Sequence, residues 1–374
     1  MKIGRYIKQP QGYKAFVLEK FPPVEGFDFS PGIIQKANSA TFKLGKLDGI
    51  AQLLPDLEFY LFMYIRKDAA SSSQIEGTQA TMIDAIAAES NSSHDLPADV
   101  DDILKYIHAL NYGIKRLKEF PLSLRLIREI HHELMKDGRS THYSAPGEFR
   151  TSQNWIGGTM PGNAQYVPPP PHEMTASLDD LEKFLHKRDN LLPVIKAGLI
   201  HAQFEAIHPF LDGNGRTGRM LITLYLQIEK LLESPILFLS WYFKKNQKTY
   251  YQRLAEYYES SQEKWIDFFL DGVIETADES IETIRKITVL REKDILKIQS
   301  LNKSASESAI KVLPKLFQMP IVDVNQIVQW TGFSRQGAQK VIDRFVELDI
   351  LKQLNENQNY GRSFIYKQYL DIFK

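Results

Sequence analysis

Twelve consecutive residues carry the densest chemistry in this chain: His208-Pro209-Phe210-Leu211-Asp212-Gly213-Asn214-Gly215-Arg216-Thr217-Gly218-Arg219. Gly213 and Gly215 allow a tight turn where side chains would clash. The turn runs straight into a helical pattern. Its backbone N–H groups therefore converge on one spot, and the helix dipole adds positive potential there. Such an anion nest suits phosphates. Arg216 and Arg219, three apart, fall on one side of the first helical turn and can grip phosphate oxygens in fork geometry. Asp212 at the entrance is a hard carboxylate able to hold Mg²⁺ between phosphates. His208 is the only nearby side chain that titrates close to neutrality, which makes it the natural general base. Together these parts form a kit for phosphoryl or nucleotidyl transfer. The plain alternative is a polar helix-turn-helix corner with surface arginines.

The segment is similar to the signature of the Fic family, His-x-Phe-x-(Asp/Glu)-Gly-Asn-Gly-Arg-x-x-Arg. His208, Phe210, Asp212, Gly213, Asn214, Gly215, Arg216 and Arg219 fill every specified position. Residues 146–171, with Pro-Gly-Glu-Phe-Arg at 146–150 and prolines at 168–171, look like that family's flap region. Residues 239–270, with Tyr250-Tyr251 and Trp265-Ile266, look like the segment after its core. The resemblance runs over residues 60–300. It implies a mainly α fold, a Fic-type helical bundle with a short β-hairpin flap. It also implies transfer of AMP from ATP to a Tyr, Thr or Ser hydroxyl on a target protein or on the enzyme itself. Under the resemblance His208 deprotonates the hydroxyl and Asp212 holds Mg²⁺ on the α- and β-phosphates. Gly213, Asn214, Gly215 and Arg216 cradle those phosphates, with Thr217 and Gly218 following, and Arg219 pairs with the γ-phosphate. Val167 and Pro168 would wall the nucleotide site, and Tyr250 and Tyr251 would neighbour adenine or ribose. Trp155, Ile156, Gly157, Gly158 and Thr159 would take an extended target segment as an added strand.

A second motif, Ser72-Ser73-Gln74-Ile75-Glu76-Gly77, resembles the family's inhibitory pattern (Ser/Thr)-x-x-x-Glu-(Gly/Asn). A glutamate reaching Arg219 would form a charge-assisted pair and occupy the arginine that the γ-phosphate needs. Alone, the motif reads as a solvated helix glutamate. Two other functions fit the same residues. One is removal of AMP with Glu76 aligning a water; the other is a DNA-binding regulator whose core senses nucleotide. His131, His132 and His201 read as core or supporting histidines, because no metal-binding His-Glu-x-x-His occurs.

The elements that must position these residues follow from periodicity. Residues 1–40 are rich in Pro, Gly and aromatics and read as an extended arm on a body. Leu53, Leu54, Leu57, Leu61 and Ile65 mark one face of a helix within 34–87. A polar break is expected at 90–97, then helices over 99–120 and 121–136, the latter capped by Ser123. Residues 137–172 lose helical period, and 153–158 suggest a short hairpin. Helices resume at 177–186, 192–207, 217–232, 239–260 and 263–300. From Ser304 three helices and a hairpin around the polar loop 355–361 match a winged helix-turn-helix, with Ala338, Val341, Ile342, Phe345 and Leu348 facing inward. The expected divisions are an N-terminal part with the inhibitory motif (1–115), a Fic core (116–280), a helical connector (281–303) and the winged helix (304–374).

The 374 residues balance 46 Lys plus Arg against 46 Asp plus Glu. That zero hides a split: residues 285–374 carry 15 basic and 9 acidic residues, a net +6, so the remainder carries −6. The body must then find phosphates through one local nest, not a broad positive surface. Arg335, Gln336, Gln339, Lys340, Arg344 and Arg362 offer modest charge for DNA, and winged helices also serve protein contact. With no cysteine, disulfides, thiolate nucleophiles and Cys-ligated zinc are excluded. No apolar h-region follows the first residues and no long uncharged apolar run occurs, so the expectation is a cytoplasmic protein without a membrane partner. Expected partners are ATP, an acceptor protein, DNA at the winged helix and a second copy in a homodimer.

Overall fold

The computed structural model describes residues 3–52, 54, 57–90, 96–137, 145–259, 261–354 and 361–373. Most of the expected polar break at 90–97 and nearly all of the loop 355–361 lie outside the described residues, as does Leu53.

Where an extended arm is expected, the chain forms an antiparallel hairpin, β1 (Gly4–Lys8) and β2 (Lys14–Leu18). Gly12 at φ +94° makes the turn, a left-handed conformation glycine takes without penalty. The hairpin is tied to the body by the Phe16 N–H, which donates to the Val167 carbonyl at 2.8 Å.

The first helical stretch is three helices: α1 (Pro31–Gln52), α2 (Leu57–Ile75) and α3 (Met82–Glu89). Gly77 at φ +99° stops the chain just past α2, leaving Glu76 at the end of its last turn. Thr81 opens α3 with a capping box to Asp84. α4 (Val100–Arg116) and α5 (Leu124–Met135) pack together, and Ser123 caps α5 as expected by accepting from the Leu126 N–H. α6 (Pro171–His186) starts earlier than its periodicity suggests, because Pro171 suits the first helical position.

At the centre lie α7 (Pro193–Ile207) and α8 (Asn214–Ile228). Every residue from Val194 to Ile207 is buried, so α7 is enclosed on all sides. α8 begins at Asn214, three residues before the expected start. The stretch expected as one helix over 239–260 breaks at Asn246 into α9 (Ser240–Lys245) and α10 (Gln247–Tyr258). α11 (Gln262–Gln299) is a single helix that lies along α1. It runs unbroken through residue 280, where a core-to-connector division is expected.

The C-terminal part holds α12 (Lys303–Gln318), β3 (Ile321–Asp323), α13 (Val324–Thr331), α14 (Arg335–Glu347), β4 (Lys352–Gln353), β5 (Ser363–Ile365) and α15 (Lys367–Leu370). Ser334 caps α14, and Ala338, Val341, Ile342 and Phe345 are buried, with Leu348 half-buried. The sheet order is β3-β5-β4, so a strand before α13 joins the hairpin. This part rests on the N-terminal helices: α12 packs on α2, Tyr64 meets Phe373 edge-on, and Gln326 Nε2 donates to the Ser90 carbonyl. No helix among the described residues is long and apolar enough to cross a membrane.

Candidate active site

The loop between α7 and α8 is held by its own side chains. Asn214 braces it: the Phe210 N–H donates to Asn214 Oδ1, and Asn214 Nδ2 donates back to the Phe210 carbonyl, both at 2.8 Å. The Asn214 side chain thus braces the loop, with its backbone at the helix start. Gly213 stands at φ +75°, and a Cβ there would lie 2.8 Å from Met135 Sδ. The Gly213 N–H donates to Asp212 Oδ1 at 2.6 Å. Asp212 is half-exposed, and Arg216 Nη2 lies 3.9 Å from its Oδ1.

His131 pins this loop from α5. Its Nδ1 accepts from the Gly147 N–H at 2.9 Å, so its Nε2 is the nitrogen that donates to the Asp212 carbonyl at 3.0 Å. The ring stacks on Phe210 with centroids 3.6 Å apart. Burial holds it neutral, with its pKa lowered to about 4. His131 is therefore a supporting residue, as its sequence context suggests.

His208 closes α7 in a left-handed conformation, φ 49° and ψ 60°, uncommon for a residue with a Cβ. Burial first, then the Arg150 guanidinium, lower its pKa to about 4. At neutral pH it is an uncharged imidazole that can accept a proton. Its Nδ1 is 4.0 Å from Glu205 Oε2. Glu205 itself is buried, and burial pushes its carboxyl up to about 8, against the attraction of Arg219.

Arg219 is the meeting point of distant segments. Its Nε donates to Ser72 Oγ at 2.8 Å, and Nη2 donates to the Ser72 carbonyl at 3.0 Å and to Glu76 Oε1 at 2.7 Å. Burial opposes its charge, yet Glu76, with Tyr250 and Glu205 adding, leaves its pKa above the ordinary value. Glu76 lies over the helix N-terminus itself: a Cβ on Gly215 would be 2.2 Å from Glu76 Oε1. The glutamate therefore sits where the nest would receive an anion.

Not every expected ligand neighbour faces this spot. Tyr250 is almost wholly buried; its hydroxyl meets His201 Nε2 at 2.9 Å and its ring stacks on Phe243. Its hydroxyl and ring are thus engaged with the core around His201. Tyr251 is about half-exposed, and its hydroxyl reaches the Ile75 carbonyl beside Glu76. Val167 and Pro168 are buried, and the Pro168 carbonyl accepts from Gln153 Nε2. Gly218 packs against Glu205 and Phe204, where a Cβ would meet Glu205 Oε1 at 2.6 Å. Thr217 Oγ1 and Arg216 Nε are buried without a hydrogen-bond partner, donors that phosphate oxygens could satisfy.

The expected hairpin at 153–158 is reduced to one bridge, Ile156 to Tyr166. Gly157 and Gly158 both sit at φ +71°, which breaks the ladder. Trp155, Gly157, Gly158 and Thr159 remain exposed at this edge, with Ile156 half-buried. Asn154 Nδ2 clips the flap to the signature loop, donating to the Phe210 carbonyl at 2.8 Å. Sequence reasoning did not single out Arg150, Asn154 or Glu205. The only signal was the position of Arg150 in the Pro-Gly-Glu-Phe-Arg run.

The residues present fit Mg²⁺ in a limited way. Among the described residues no three His, Asp or Glu gather as a metal cage. Mg²⁺ commonly takes one or two carboxylates and completes its shell with phosphates and waters, so Asp212 beside an anion nest meets its needs.

Known proteins align with this arrangement. Residues 121–226 match the Fic/DOC family and residues 34–115 the Fic/DOC family N-terminal domain. Protein adenylyltransferase Fic of Aedes aegypti is 29% identical over 196 residues, 52% of this chain and 35% of that protein. The Drosophila erecta protein of the same name is 31% identical over 144 residues, 38% of this chain and 26% of the relative. The chain thus spans about a third or less of the length of these curated relatives. A Fic family protein from Desulfovibrio desulfuricans G20 superposes with a TM-score of 0.60 at 18% identity, over 91% of this chain and 97% of that one. A Fic domain containing signaling protein from Bacteroides thetaiotaomicron gives 0.53 at 19% identity, over 67% and 97%. At these identities the likeness is one of fold.

Proposed function

We propose that this chain, which belongs to the Fic/DOC family through residues 34–115 and 121–226, transfers AMP from ATP to a hydroxyl side chain of a target protein or of itself, under restraint by Glu76. The observation that carries the reading is the Glu76–Arg219 pair lying on the N-terminus of α8. The curated relatives' name, protein adenylyltransferase, supports the same reaction class.

The chemistry follows from this chain's groups. The acceptor hydroxyl oxygen attacks the α-phosphorus of ATP, its proton passes to His208, and pyrophosphate leaves. His208 is suited to this because burial and Arg150 keep it unprotonated. The N–H groups of Gly215 and Arg216, with the Arg216 guanidinium and the Thr217 hydroxyl, receive phosphate oxygens, so charge neutralisation and positioning do most of the work. Mg²⁺ held by Asp212 would neutralise further phosphate charge. Arg219 would grip the γ-phosphate once Glu76 releases it, and the exposed edge at Trp155 to Thr159 would align the target segment.

Mass spectrometry of the protein incubated with ATP and Mg²⁺, with and without cell lysate, tests the reading. Glu76→Gly should add AMP to protein hydroxyls faster than the parent, and combining it with His208→Ala should stop transfer. Equal labelling by parent and Glu76→Gly would overturn the restraint, and undiminished labelling in the double variant would overturn the role of His208.

For the C-terminal part, we infer a winged helix that contacts nucleic acid. Arg335, Gln336 and Lys340 are exposed along α14, behind the Ser334 cap. Duplex binding that weakens steeply with salt and with Arg335→Ala is expected; salt-independent or absent binding would refute it.

A further inference from the structure

Arg150 is a buried cation for which no ion pair is found among the described residues. Only 2% of it is exposed. Taking a charge out of water without a counter-charge is costly, so the contacts that offset it are informative. They are all main-chain carbonyls. Nε donates to His208 at 2.9 Å, Nη1 to Ser152 at 3.2 Å, and Nη2 to Pro169 at 2.6 Å and Ile207 at 3.4 Å. Its own N–H donates to the Pro209 carbonyl at 2.9 Å. One side chain therefore joins the end of α7, the base, the flap entry and the proline wall.

The fork acts where the backbone most needs holding. His208 is left-handed, and such a conformation persists only when its surroundings over-determine it. Arg150 Nε, with Asn154 Nδ2 at 3.4 Å, grips the carbonyl of that residue. The charge acts on the ring. Arg150, Glu76, Asp212 and Glu205 are the charged or titratable groups around His208. Glu76, Asp212 and the main-chain carbonyl of Glu205 favour a protonated ring, and Arg150 opposes one. Burial leaves the Glu205 carboxyl largely uncharged at neutral pH.

We propose that Arg150 is the positioning residue of the base: its guanidinium fork fixes the His208 backbone and brings an unpaired buried charge to the imidazole. After burial, that charge is what most disfavours a protonated ring. The proposal rests on His208 as the base of AMP transfer, but its first test does not.

The test is a histidine-detected NMR titration of the full chain, with His208 assigned by difference against His208→Ala. In the parent, His208 should stay neutral down to about pH 5. In Arg150→Gln its midpoint should rise by a unit or more. In the Glu76→Gly background, Arg150→Lys should lower kcat for AMP transfer by about tenfold to a hundredfold, with the KM for ATP little changed, because a small misplacement of the base is costly. Arg150→Lys also carries the titration should Arg150→Gln not fold, its midpoint then falling at or above that of the parent. An unchanged His208 titration in folded Arg150→Gln, or full kcat in Arg150→Lys, would overturn the proposal. If Glu76→Gly itself transfers no AMP, the activity reading fails, while the titration still decides the role of Arg150.

Discussion

The carboxylate of Glu76 stands where any side chain on residue 215 would have to go. A Cβ built on Gly215 would lie 2.2 Å from Glu76 Oε1 and 3.0 Å from Arg219 Nη1. The glycine is thus required twice, once by an incoming anion and once by the glutamate that holds its place. Gly215→Ala should expel Glu76 yet leave a methyl in the nest. Overpacking of this kind costs about 1–3 kcal/mol. A lower denaturation midpoint is expected, without the gain in AMP transfer expected of Glu76→Gly. Activation matching that of Glu76→Gly would mean that the nest is not where phosphates bind.

Ser72 supplies two contacts that orient Arg219, one from its hydroxyl and one from its carbonyl. Ser72→Ala removes the first. A hydrogen bond to a charged group is worth about 1.5–3 kcal/mol. Part of that loss should appear as weaker restraint, with transfer rising less than in Glu76→Gly. Isothermal calorimetry with ATP should register any loosening of the Arg219 side chain as altered affinity. Parent-like transfer and affinity together would refute a role for Ser72 in holding the arginine.

Acid should reduce stability before it reduces base function. His131 and His201 are fully buried, and burial lowers their pKa to about 4 and about 3, below the ordinary 6.5. The unfolded chain therefore binds more protons in that window. Stability contributed by the neutral rings is complete above about pH 6.5 and is lost as pH falls toward 4, by roughly 1.4 kcal/mol per pH unit for each ring. Urea midpoints measured from pH 7.5 to 4.5 should fall, and more shallowly in His201→Gln. In Glu76→Gly, AMP transfer should not show a histidine midpoint near 6.5, because His208 titrates near 4. A rate that halves at about pH 6.5 would contradict the buried, Arg150-facing base.

Asp212 is the half-exposed carboxylate at the nest, and no acidic cluster among the described residues can replace it. Chelation by EDTA should stop transfer. Asp212→Asn should raise the Mg²⁺ concentration needed for half-maximal rate, with a smaller change in the apparent affinity for metal-free ATP. An unaltered Mg²⁺ dependence would remove Asp212 from metal binding.

Much of the site was legible before folding because it is local. The turn at Gly213, the N-terminus of α8 and the order His208, Asp212, Arg216, Arg219 all follow from adjacent residues. The cap at Ser123 and the inward face of α14 were readable for the same reason, since periodicity and capping act within a few residues. The flap was less legible. Two glycines at φ +71° turned an expected hairpin into a single bridge, and β1 and β2 paired where an arm was expected.

What the sequence by itself determined is the inventory: an anion nest with a base beside it, and a glutamate motif whose purpose resemblance suggests. What only the tertiary structure decided is who meets whom. Ser72 and Glu76 lie 147 and 143 residues from Arg219 along the chain, yet share its guanidinium. Arg150 spends its fork on the carbonyls behind His208, and Tyr250 turns inward to His201. Periodicity places a residue on a face of its own helix. The packing of α2, α7, α8 and α10 around one core brings these faces together, and burial then makes each resulting charge contact count.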